Sequence, residues 1–425
     1  MSRSMFRAAA VVLACANVFC STNGAGPSPP DGGSVSASSS GGGYGSSSSG
    51  GGTDGGSSSG SSSGSATDSG IRPEADSGAG ADAAVAPDGG DAASAAVGPC
   101  DIYASGQTPC VAAHSTVRAL YGSYDGKLYQ VQRVADNATK DVYPLAPGGY
   151  ADSSAQDSFC AQTNCTITIL YDQSPQHNDL PVSPPSNFLP TGGTPAIADS
   201  EKVTMAGSYP VYGVYVPGGG TAYRNDVTAG VAKGNEAEAM YMVVDGTRYS
   251  GTCCFDYGNA EANGQDDGNG TMEAIYWGSD TFWGGQGQGT GPWIAADLEN
   301  GMFKCDEGFP QTNLVLSQAC PTALAQSLTA PFVTAMLKGP ADNTFTLKSA
   351  DAQSGQLVVQ WDGPRPSPSG YSPKNLQGAI ILGTGGDGSN GGKGTFFEGA
   401  MTAGNPSDAI DDLVQANIVA AGYAQ

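Results

Sequence analysis

The segment GPWIAADLENGMF, residues 291–303, carries the pattern that decides the fold class. If this segment is a β-strand, alternate side chains lie on opposite faces, because the side chains of a strand have a period of two. One face of such a strand would carry four residues: Trp293, Ala295, Asp297 and Glu299. The opposite face would carry the residues between them: Ile294, Ala296 and Leu298. The segment therefore predicts a strand with two acids on one side.

These two acids need an explanation. Asp297 and Glu299 would face the same space, and two nearby carboxylates raise each other's pKa. A sheet with a purely structural role avoids such pairs unless that face is exposed to water. The residues alone leave two interpretations open, a solvated outer face or a functional site.

Segments of the same kind recur along the chain, separated by Gly, Asp, Asn and Pro. Ten of them are CTITILYD, YPVYGVYVP, AMYMVVDG, MEAIYWGS, PWIAADLEN, FVTAMLKG, NTFTLKSA, QLVVQWDG, GAIILGTG and GTFFEGAMT. So many short strands predict an all-β fold, either a β-sandwich or a jelly roll.

Two further elements are predicted from local signals. Residues 116–134, TVRALYGSYDGKLYQVQRV, predict a hairpin around Asp125 and Gly126, a dipeptide suited to a tight turn. A helix is predicted near the end of the chain, with Ser407 as its N-cap. Its apolar face has helical spacing and consists of Ile410, Leu413, Val414, Ile418 and Ala421.

The N-terminal residues 1–20 have the layout of a secretory signal, with Arg3 and Arg7 before a short apolar run. The residues around Cys15 approximate a bacterial lipobox, so Cys15 is a candidate for a lipid anchor. An ordinary cleaved signal is the alternative. These features predict a secreted protein or a cell-surface lipoprotein of a bacterium.

The next segment, residues 21–98, consists almost entirely of Ser, Gly, Ala, Asp and Pro. It has too few apolar side chains to offset the entropy lost on ordering, so we predict a disordered linker. Order should begin near residue 99 and continue to residue 425 as one domain.

The net charge of the chain limits the classes of binding partner that we expect. The 425 residues include 17 Lys and Arg against 40 Asp and Glu, which gives a formal net charge of −23. Nucleic acids and anionic lipid surfaces bind basic patches, so neither is expected as a partner. We expect a neutral or cationic partner and a monomeric protein.

Eight of the ten cysteines follow residue 98, an even number that suggests complete pairing in an exported chain. Local spacing favours three short loops, closed by Cys100 and Cys110, by Cys160 and Cys165, and by Cys305 and Cys320. Cys253 and Cys254 then remain to pair with each other. Across a trans peptide their Cα atoms would lie about 3.8 Å apart, below the usual range for a disulfide.

A zinc site is the other use for these cysteines. The chain has no CxxC pair and only two histidines, which argues against zinc. We expect no metal and no cofactor.

Asp387 lies in the Gly-rich segment LGTGGDGSNGG, residues 382–392, where flanking glycines let a ligand approach the backbone. Calcium binding by this loop is a competing interpretation. Two carboxylates on separate segments are also what retaining glycoside hydrolysis requires, one as nucleophile and one as acid/base. Three tryptophans close in sequence are candidates to pack on sugar faces: Trp277, Trp283 and Trp293.

Together these motifs resemble the catalytic domain of the α-L-arabinofuranosidases of glycoside hydrolase family 54. The segments that carry the resemblance are CDIYASGQTPCVAAHSTVRALYGSYDGKLYQVQR, GGYADSSAQDSFC, CCFDYGNAE, GNGTMEAIYWG, GPWIAADLENGMF, GAIILGTGGDGSNG and PSDAIDDLVQANIVAAGY. They extend over nearly the whole predicted domain. The resemblance implies a concanavalin-like β-sandwich and a retaining exo-hydrolase that releases terminal arabinofuranosyl units from arabinoxylan or arabinan in plant cell walls.

The resemblance also implies a role for each matching residue. Glu299 corresponds to the nucleophile and Asp387 to the general acid/base, whose carboxyl groups should lie about 5 to 5.5 Å apart in a retaining enzyme. Cys253 and Cys254 correspond to a disulfide that forms a flat apolar plate in the sugar pocket. The other residues expected to contact the arabinofuranose are Trp283, Asp297, Asn300, Gly301 and Gly386.

Three features depart from the family pattern. Gly388 stands where we expect Asn, which predicts a looser acid/base loop. The pair Cys305 and Cys320 is an apparent extra disulfide. The arabinose-binding β-trefoil domain that often follows in this family has no counterpart in the sequence, so we expect any anchoring to polymer to come from elsewhere.

Two other functions compete with arabinofuranosidase activity. One is a surface-tethered protein that binds arabinan or xylan without turning it over, although the presence of both acids argues against it. The other keeps the chemistry and changes the sugar, for example to β-D-galactofuranose or xylose.

Overall fold

The computed structural model describes residues 97–284, 286–305, 320, 324–366 and 369–425. The predicted signal, Cys15 and all but the last two residues of the predicted linker lie outside this part of the chain. The described residues belong to one unit, Ala86–Gln425. None of the helices in these ranges is long and apolar enough to cross a membrane.

Two large sheets form the body of the protein. The first contains, in spatial order, β1 (Cys110–Ser115), β20 (Gly394–Ala403), β11 (Glu238–Asp245), β16 (Phe332–Gly339), β17 (Thr344–Asp351) and β18 (Val358–Pro364), with β9 (Val214–Val216) also paired to β20. The second contains β10 (Tyr223–Asn225), β19 (Ala379–Leu382), β12 (Asp256–Ala260), β13 (Glu273–Gly278), β14 (Trp293–Asp297) and β15 (Met302–Phe303).

Two smaller sheets complete the described fold. One contains β3 (Thr139–Val142), β2 (Tyr129–Arg133), β4 (Cys165–Leu170) and β5 (Leu180–Pro181), with β6 (Ala196–Ile197) paired to β4. The other contains β21 (Tyr423–Ala424), β7 (Lys202–Met205) and β8 (Tyr209–Tyr212).

The main core lies between the two large sheets. Tyr257 of β12 and Phe396 of β20 meet across it, with their ring centroids 5.1 Å apart. Val243 and Ile275, one from each sheet, are fully buried in the same cluster. The predicted all-β sandwich is confirmed, and each of the ten quoted segments contains a strand.

The hairpin predicted around Asp125 and Gly126 is wrong. The chain leaves β1 at Ser115, whose Oγ accepts hydrogen bonds from the N–H groups of Val117 and Arg118, both at 3.1 Å. This local turn prevents the following residues from continuing as a strand. β2 pairs instead with β3 and β4.

The predicted C-terminal helix is confirmed as α3 (Asp408–Ala420), although Ser407 makes no side-chain capping bond. Leu413 is 54% exposed, so its assignment to the apolar face is wrong. The inward face carries Asp411 instead, which bonds two lysines of the large sheet. Two short helices were not expected: α1 (Pro99–Ser105) and α2 (Ser153–Cys160).

Candidate active site

One cavity of about 310 Å³ brings together every residue that the resemblance assigns to substrate. These residues come from the segments before β12 and after β13, the turn between β14 and β15, and the loop after β19. They are Cys253, Cys254, Trp283, Asp297, Glu299, Asn300, Gly301, Gly386 and Asp387. The rest of the lining was not expected from the sequence and consists of Asn187, Phe188, Asp266, Met302, Gly385 and Ser389.

A sharp turn after β14 places Glu299 in the cavity. β14 ends at Asp297, and Glu299 and Asn300 then have φ values of 62° and 55°. This left-handed region is unfavourable for residues other than glycine and is common at functional sites. The N–H of Glu299 donates to Oδ1 of Asp297 at 3.2 Å. Two acids therefore reach one space, but the turn, and not strand alternation, positions the second.

β14 is covered on both faces. Ala295 packs with Cys254, Tyr276 and Met302 near the cavity, whereas the alternate residues of the strand belong to the main core. Asp297 and Glu299 are each only 6% exposed. The interpretation of this face as a solvated outer surface is therefore wrong.

Asp387 lies in the loop that follows β19. Its Oδ1 accepts a hydrogen bond from the N–H of Ser389 at 2.9 Å, and its backbone carbonyl accepts one from the N–H of Phe188 at 3.0 Å. Gly388 has φ of 89°, and a Cβ there would lie 1.9 Å from Oγ of Ser186. Glycine at 388 thus permits a close approach between two loops, which is a different role from loosening the acid/base loop.

All four predicted disulfides are present: Cys100–Cys110, Cys160–Cys165, Cys253–Cys254 and Cys305–Cys320. The peptide bond between Cys253 and Cys254 is cis and their Cα atoms are 3.0 Å apart, so the trans spacing assumed from the sequence is wrong. Their Sγ atoms lie 3.6 and 3.5 Å from Oγ of Ser389. Sγ of Cys254 is also 3.6 Å from Oδ2 of Asp297. This disulfide forms one wall of the cavity.

Of the three tryptophans considered for sugar contact, Trp283 lines the cavity and is 36% exposed. Trp277 and Trp293 are 1% and 2% exposed. Their indole N–H groups donate to backbone carbonyls, those of Arg248 and Gln288. These two rings belong to the packing of the fold, so the expectation that they contact sugar is wrong.

One group in the described ranges has the spacing of metal ligands: Cys253, Cys254 and Asp297. The two cysteines are bonded to each other, so neither offers the thiolate that a metal would need. Asp387, the centre of the calcium interpretation, belongs to no such group in the part of the chain that was searched.

The cavity gathers carboxyl groups in a poorly hydrated place, where the charged form is disfavoured. Burial raises the pKa of Asp297 to about 7. Burial and the nearby charges of Glu261, Asp297 and Asp387 raise the pKa of Glu299 far above its usual range. Burial and mutual repulsion therefore favour the protonated form of these two carboxyl groups.

Sequence reasoning missed two acids that lie behind the cavity. Asp256 begins β12 and Glu261 follows its end, and both are fully buried. Burial raises the pKa of both carboxyl groups, and each interacts with one acid of the cavity, Asp256 with Asp297 and Glu261 with Glu299. Both belong to the quoted segment CCFDYGNAE, but nothing in its spacing indicates which acids they meet.

Known proteins resemble this chain over most of its length. A family model described as "Alpha-L-arabinofuranosidase B, catalytic" matches residues 99–424. The chain is 53% identical over 337 residues to α-L-arabinofuranosidase B of Aspergillus oryzae, covering 78% of this chain and 64% of that protein. It is 53% identical over 333 residues to an arabinofuranosidase/B-xylosidase of Trichoderma koningii, covering 77% and 63%.

Solved structures give the same result. A family 54 α-L-arabinofuranosidase soaked with a cyclic sulfate inhibitor matches with a TM-score of 0.73 and 49% identity, covering 77% of this chain and 66% of that one. An arabinofuranosidase complexed with arabinofuranosyl-α-1,2-xylobiose matches with a TM-score of 0.72 and 48% identity over the same shares.

These comparisons contradict the predicted localisation. The similar enzymes come from Aspergillus, Trichoderma koningii and Hypocrea jecorina, which are fungi. The prediction of a bacterial cell-surface lipoprotein anchored through Cys15 is therefore wrong. A few small residues before a cysteine form a pattern too short to identify a bacterial source.

The chain covers 64% and 63% of the two curated relatives named above and 66% of each of the two solved structures. Within this chain the match is nearly continuous, because the family model extends from the start of α1 to β21. The chain therefore belongs to the family of α-L-arabinofuranosidase B catalytic domains, glycoside hydrolase family 54.

Proposed function

We propose that this chain is a retaining, exo-acting α-L-arabinofuranosidase that removes terminal arabinofuranosyl units from arabinoxylan or arabinan side chains. The observation that carries the proposal is the meeting of Glu299, Asp387 and the Cys253–Cys254 wall in one cavity. Its volume of about 310 Å³ lies at the small end of the range for ligand pockets, which suits a single terminal sugar.

The reaction proceeds by double displacement. Glu299 attacks C1 of the arabinofuranosyl unit while Asp387 donates a proton to the leaving oxygen. Asp387, now ionised, then takes a proton from water as the water attacks C1 and releases Glu299. The tight turn at Glu299 and the hydrogen bonds of the Asp387 loop hold the two groups for these steps.

Contacts to the sugar come from the rest of the lining. The Cys253–Cys254 wall packs against the apolar face of the furanose, and Trp283 closes the side of the pocket. Gly386 lines the pocket with its backbone, and its lack of a Cβ leaves room for Oε2 of Glu261, which would lie 1.9 Å from a Cβ there. Polar atoms of Asp297, Asn300 and Gly301 are placed to bind the hydroxyl groups.

Two relatives support the proposed substrate class. One solved relative holds arabinofuranosyl-α-1,2-xylobiose, an arabinose branch on a piece of xylan. A second relative is named for both arabinofuranosidase and xylosidase activity, which makes aryl xylosides a necessary comparison. We propose that plant cell-wall arabinoxylan is the main partner of this chain.

The organisation proposed for the chain is a signal at 1–20, a linker at 21–98 and a secreted catalytic domain at 99–425. The match of the family model to residues 99–424 supports the domain boundary. The chain should act as a monomer.

The first test replaces the nucleophile. Glu299→Gln should lower kcat on 4-nitrophenyl α-L-arabinofuranoside by about a thousandfold or more, since an amide cannot form the glycosyl-enzyme. Glu236→Gln, at an exposed position away from the cavity, is the matched control and should leave kcat unchanged.

Asp387→Asn separates the acid role from the nucleophilic role. Nitrophenolate departs without a proton, so this variant should lose far more activity on arabinoxylan than on the nitrophenyl substrate. Retained activity in Glu299→Gln would place the nucleophile elsewhere. Binding of arabinoxylan by the unaltered protein without release of arabinose would instead support the non-catalytic alternative.

A further inference from the structure

Glu261 is a fully buried acid that the proposed reaction does not use. Its Oε1 accepts a hydrogen bond from Oγ1 of Thr271 at 2.5 Å. Its Oε2 is buried and receives a hydrogen bond from no N–H or hydroxyl group in the described part of the chain. A buried carboxylate oxygen without a donor is costly, so its surroundings need an explanation.

Oε2 lies against the acid/base loop. The Cα of Gly386 is so close that an added Cβ would be 1.9 Å from Oε2. Gly386 and Glu299 line the same cavity, and the carboxyl groups of Glu261 and Glu299 interact. Two carboxyl groups can bond each other only through a proton, because ionised carboxylates are acceptors alone. Glu261 and Glu299 can therefore act as a pair only with a proton between them.

The charged groups around Glu261 and Glu299 favour retention of one proton by these two carboxyl groups. The guanidinium of Arg224 is the nearby cation; it donates to the backbone carbonyls of Glu261 and Gly386 and to the carboxylate of Asp226. The other groups that face the pair are acidic or phenolic: Asp266, Asp297, Asp387 and Tyr371. Burial raises the pKa of Glu261 to about 6 and also raises that of Glu299. One negative charge on the pair is thus favoured over two.

We propose that Glu261 is a positioning residue that takes the proton of the pair when Glu299 attacks, which deepens the proposed function and rests on it. The proton moves from Glu299 to Oε2 of Glu261. The freed oxygen of Glu299 bonds C1 as the bond from C1 to the leaving oxygen breaks, and Asp387 supplies the proton for that oxygen.

The second half of the reaction restores the pair. Water attacks C1 and gives a proton to Asp387, the bond between C1 and Glu299 breaks, and the Glu299 carboxylate again shares the proton held by Glu261. The net charge of the pair stays at one negative unit in the free enzyme. While Glu299 is ionised, Glu261 donates a hydrogen bond to it, which offsets part of the cost of a buried charge.

Two substitutions test this role. Glu261→Gln keeps the length and can still donate a hydrogen bond to Glu299, whereas Glu261→Met keeps the length and cannot. Neither change leaves the hydroxyl of Thr271 without an acceptor, because it also lies 2.6 Å from the carbonyl of Gly268. Thermal unfolding of both variants establishes that they fold before their pH profiles are compared.

The test measures how two rates fall as the pH is lowered, which is the acid limb of each pH profile. One is kcat/KM on 4-nitrophenyl α-L-arabinofuranoside, and the other is the rate of inactivation by a cyclic sulfate of arabinofuranose. The sulfate leaves without a proton, so the second rate reports ionisation of Glu299 without help from Asp387. In Glu261→Met both limbs should move up by about one pH unit, because the Glu299 anion has lost its donor. In Glu261→Gln the shift should be less than half as large.

Two results would overturn the inference. One is an acid limb in folded Glu261→Met that coincides with that of the unaltered protein. The other is an equal shift in Glu261→Gln and Glu261→Met, which would show that a donor at 261 is irrelevant. If the unaltered protein neither hydrolyses the glycoside nor reacts with the cyclic sulfate, the proposed function itself fails, and this outcome is distinct from both.

Discussion

Cys253 and Cys254 present two sulfur atoms to the cavity that holds the carboxylates. Sulfur is apolar and polarisable, and the bond between the two residues fixes the surface that they offer. Many sugar sites use an aromatic ring in this position, and here the only tryptophan that lines the described cavity is Trp283. The disulfide therefore adds an apolar surface to that of Trp283, Phe188 and Met302.

Replacing both cysteines by alanine should remove this contact. In Cys253→Ala with Cys254→Ala we expect kcat/KM on the nitrophenyl arabinoside to fall by about 10- to 100-fold, mainly through KM, because sugar packing against the wall is lost. The control is Cys160→Ser with Cys165→Ser, a disulfide between α2 and β4 outside the cavity, which should lower stability and leave kcat/KM unchanged. Equal activity of the two double variants would contradict a role for the Cys253–Cys254 wall.

At the residue scale, the sequence identifies side chains whose type and local sequence setting indicate their role. Glu299 lies two residues from another acid on a predicted strand, and Asp387 lies in a Gly-rich loop. Once the other cysteines are paired in short loops, the two adjacent cysteines remain to pair with each other. Asp256 and Glu261 could not be identified in this way. Their role depends on which carboxyl groups they meet after folding, and β13 separates their strand from β14.

Elements are positioned by contacts between distant parts of the chain. α3 is fixed to the large sheet by Asp411, which is 1% exposed and accepts hydrogen bonds from Nζ of Lys338 and of Lys348, each at 2.8 Å. These lysines lie on β16 and β17. The same contacts explain why Asp411, and not Leu413, occupies the inward face of the helix.

Removing this carboxylate should detach α3 from the sheet. Among the described residues, Asp411→Ala leaves two buried ammonium groups with the more exposed Asp408 as their remaining acidic partner, so we expect the free energy of unfolding to fall by about 3 kcal/mol. Asp412→Ala, one residue further along the same helix and exposed, should change it by less than about 0.5 kcal/mol. Urea unfolding of both variants measures the difference, and equal losses would contradict the anchoring role of Asp411.

At the element scale, strand existence could be predicted and strand pairing could not. Period-two patterns and turn residues identify segments such as β11 and β16 because these signals are local. The failed hairpin shows the limit, since the hydroxyl of Ser115 ended a strand that alternation alone would extend. β11 lies between β20 and β16, and such neighbours are chosen by core packing over long sequence distances.

The whole molecule assembles one cavity from segments that are far apart in the chain. Its lining comes from residues 187–188, 253–254, 266, 283, 297, 299–302, 385–387 and 389. No local sequence pattern indicates that these segments meet. The family resemblance predicted that most of them line one pocket. The lining residues absent from the resemblance, such as Phe188 and Ser389, became visible only through the folded loops.

The stereochemistry of the first product tests the central claim most directly. ¹H NMR during the first minutes of hydrolysis of 4-nitrophenyl α-L-arabinofuranoside distinguishes the α and β anomers of the released arabinose. Double displacement through Glu299 inverts C1 twice, so the account predicts the α anomer first, with the β anomer growing in later by mutarotation. If the β anomer forms first, a single displacement operates, and the assignment of Glu299 as nucleophile is contradicted.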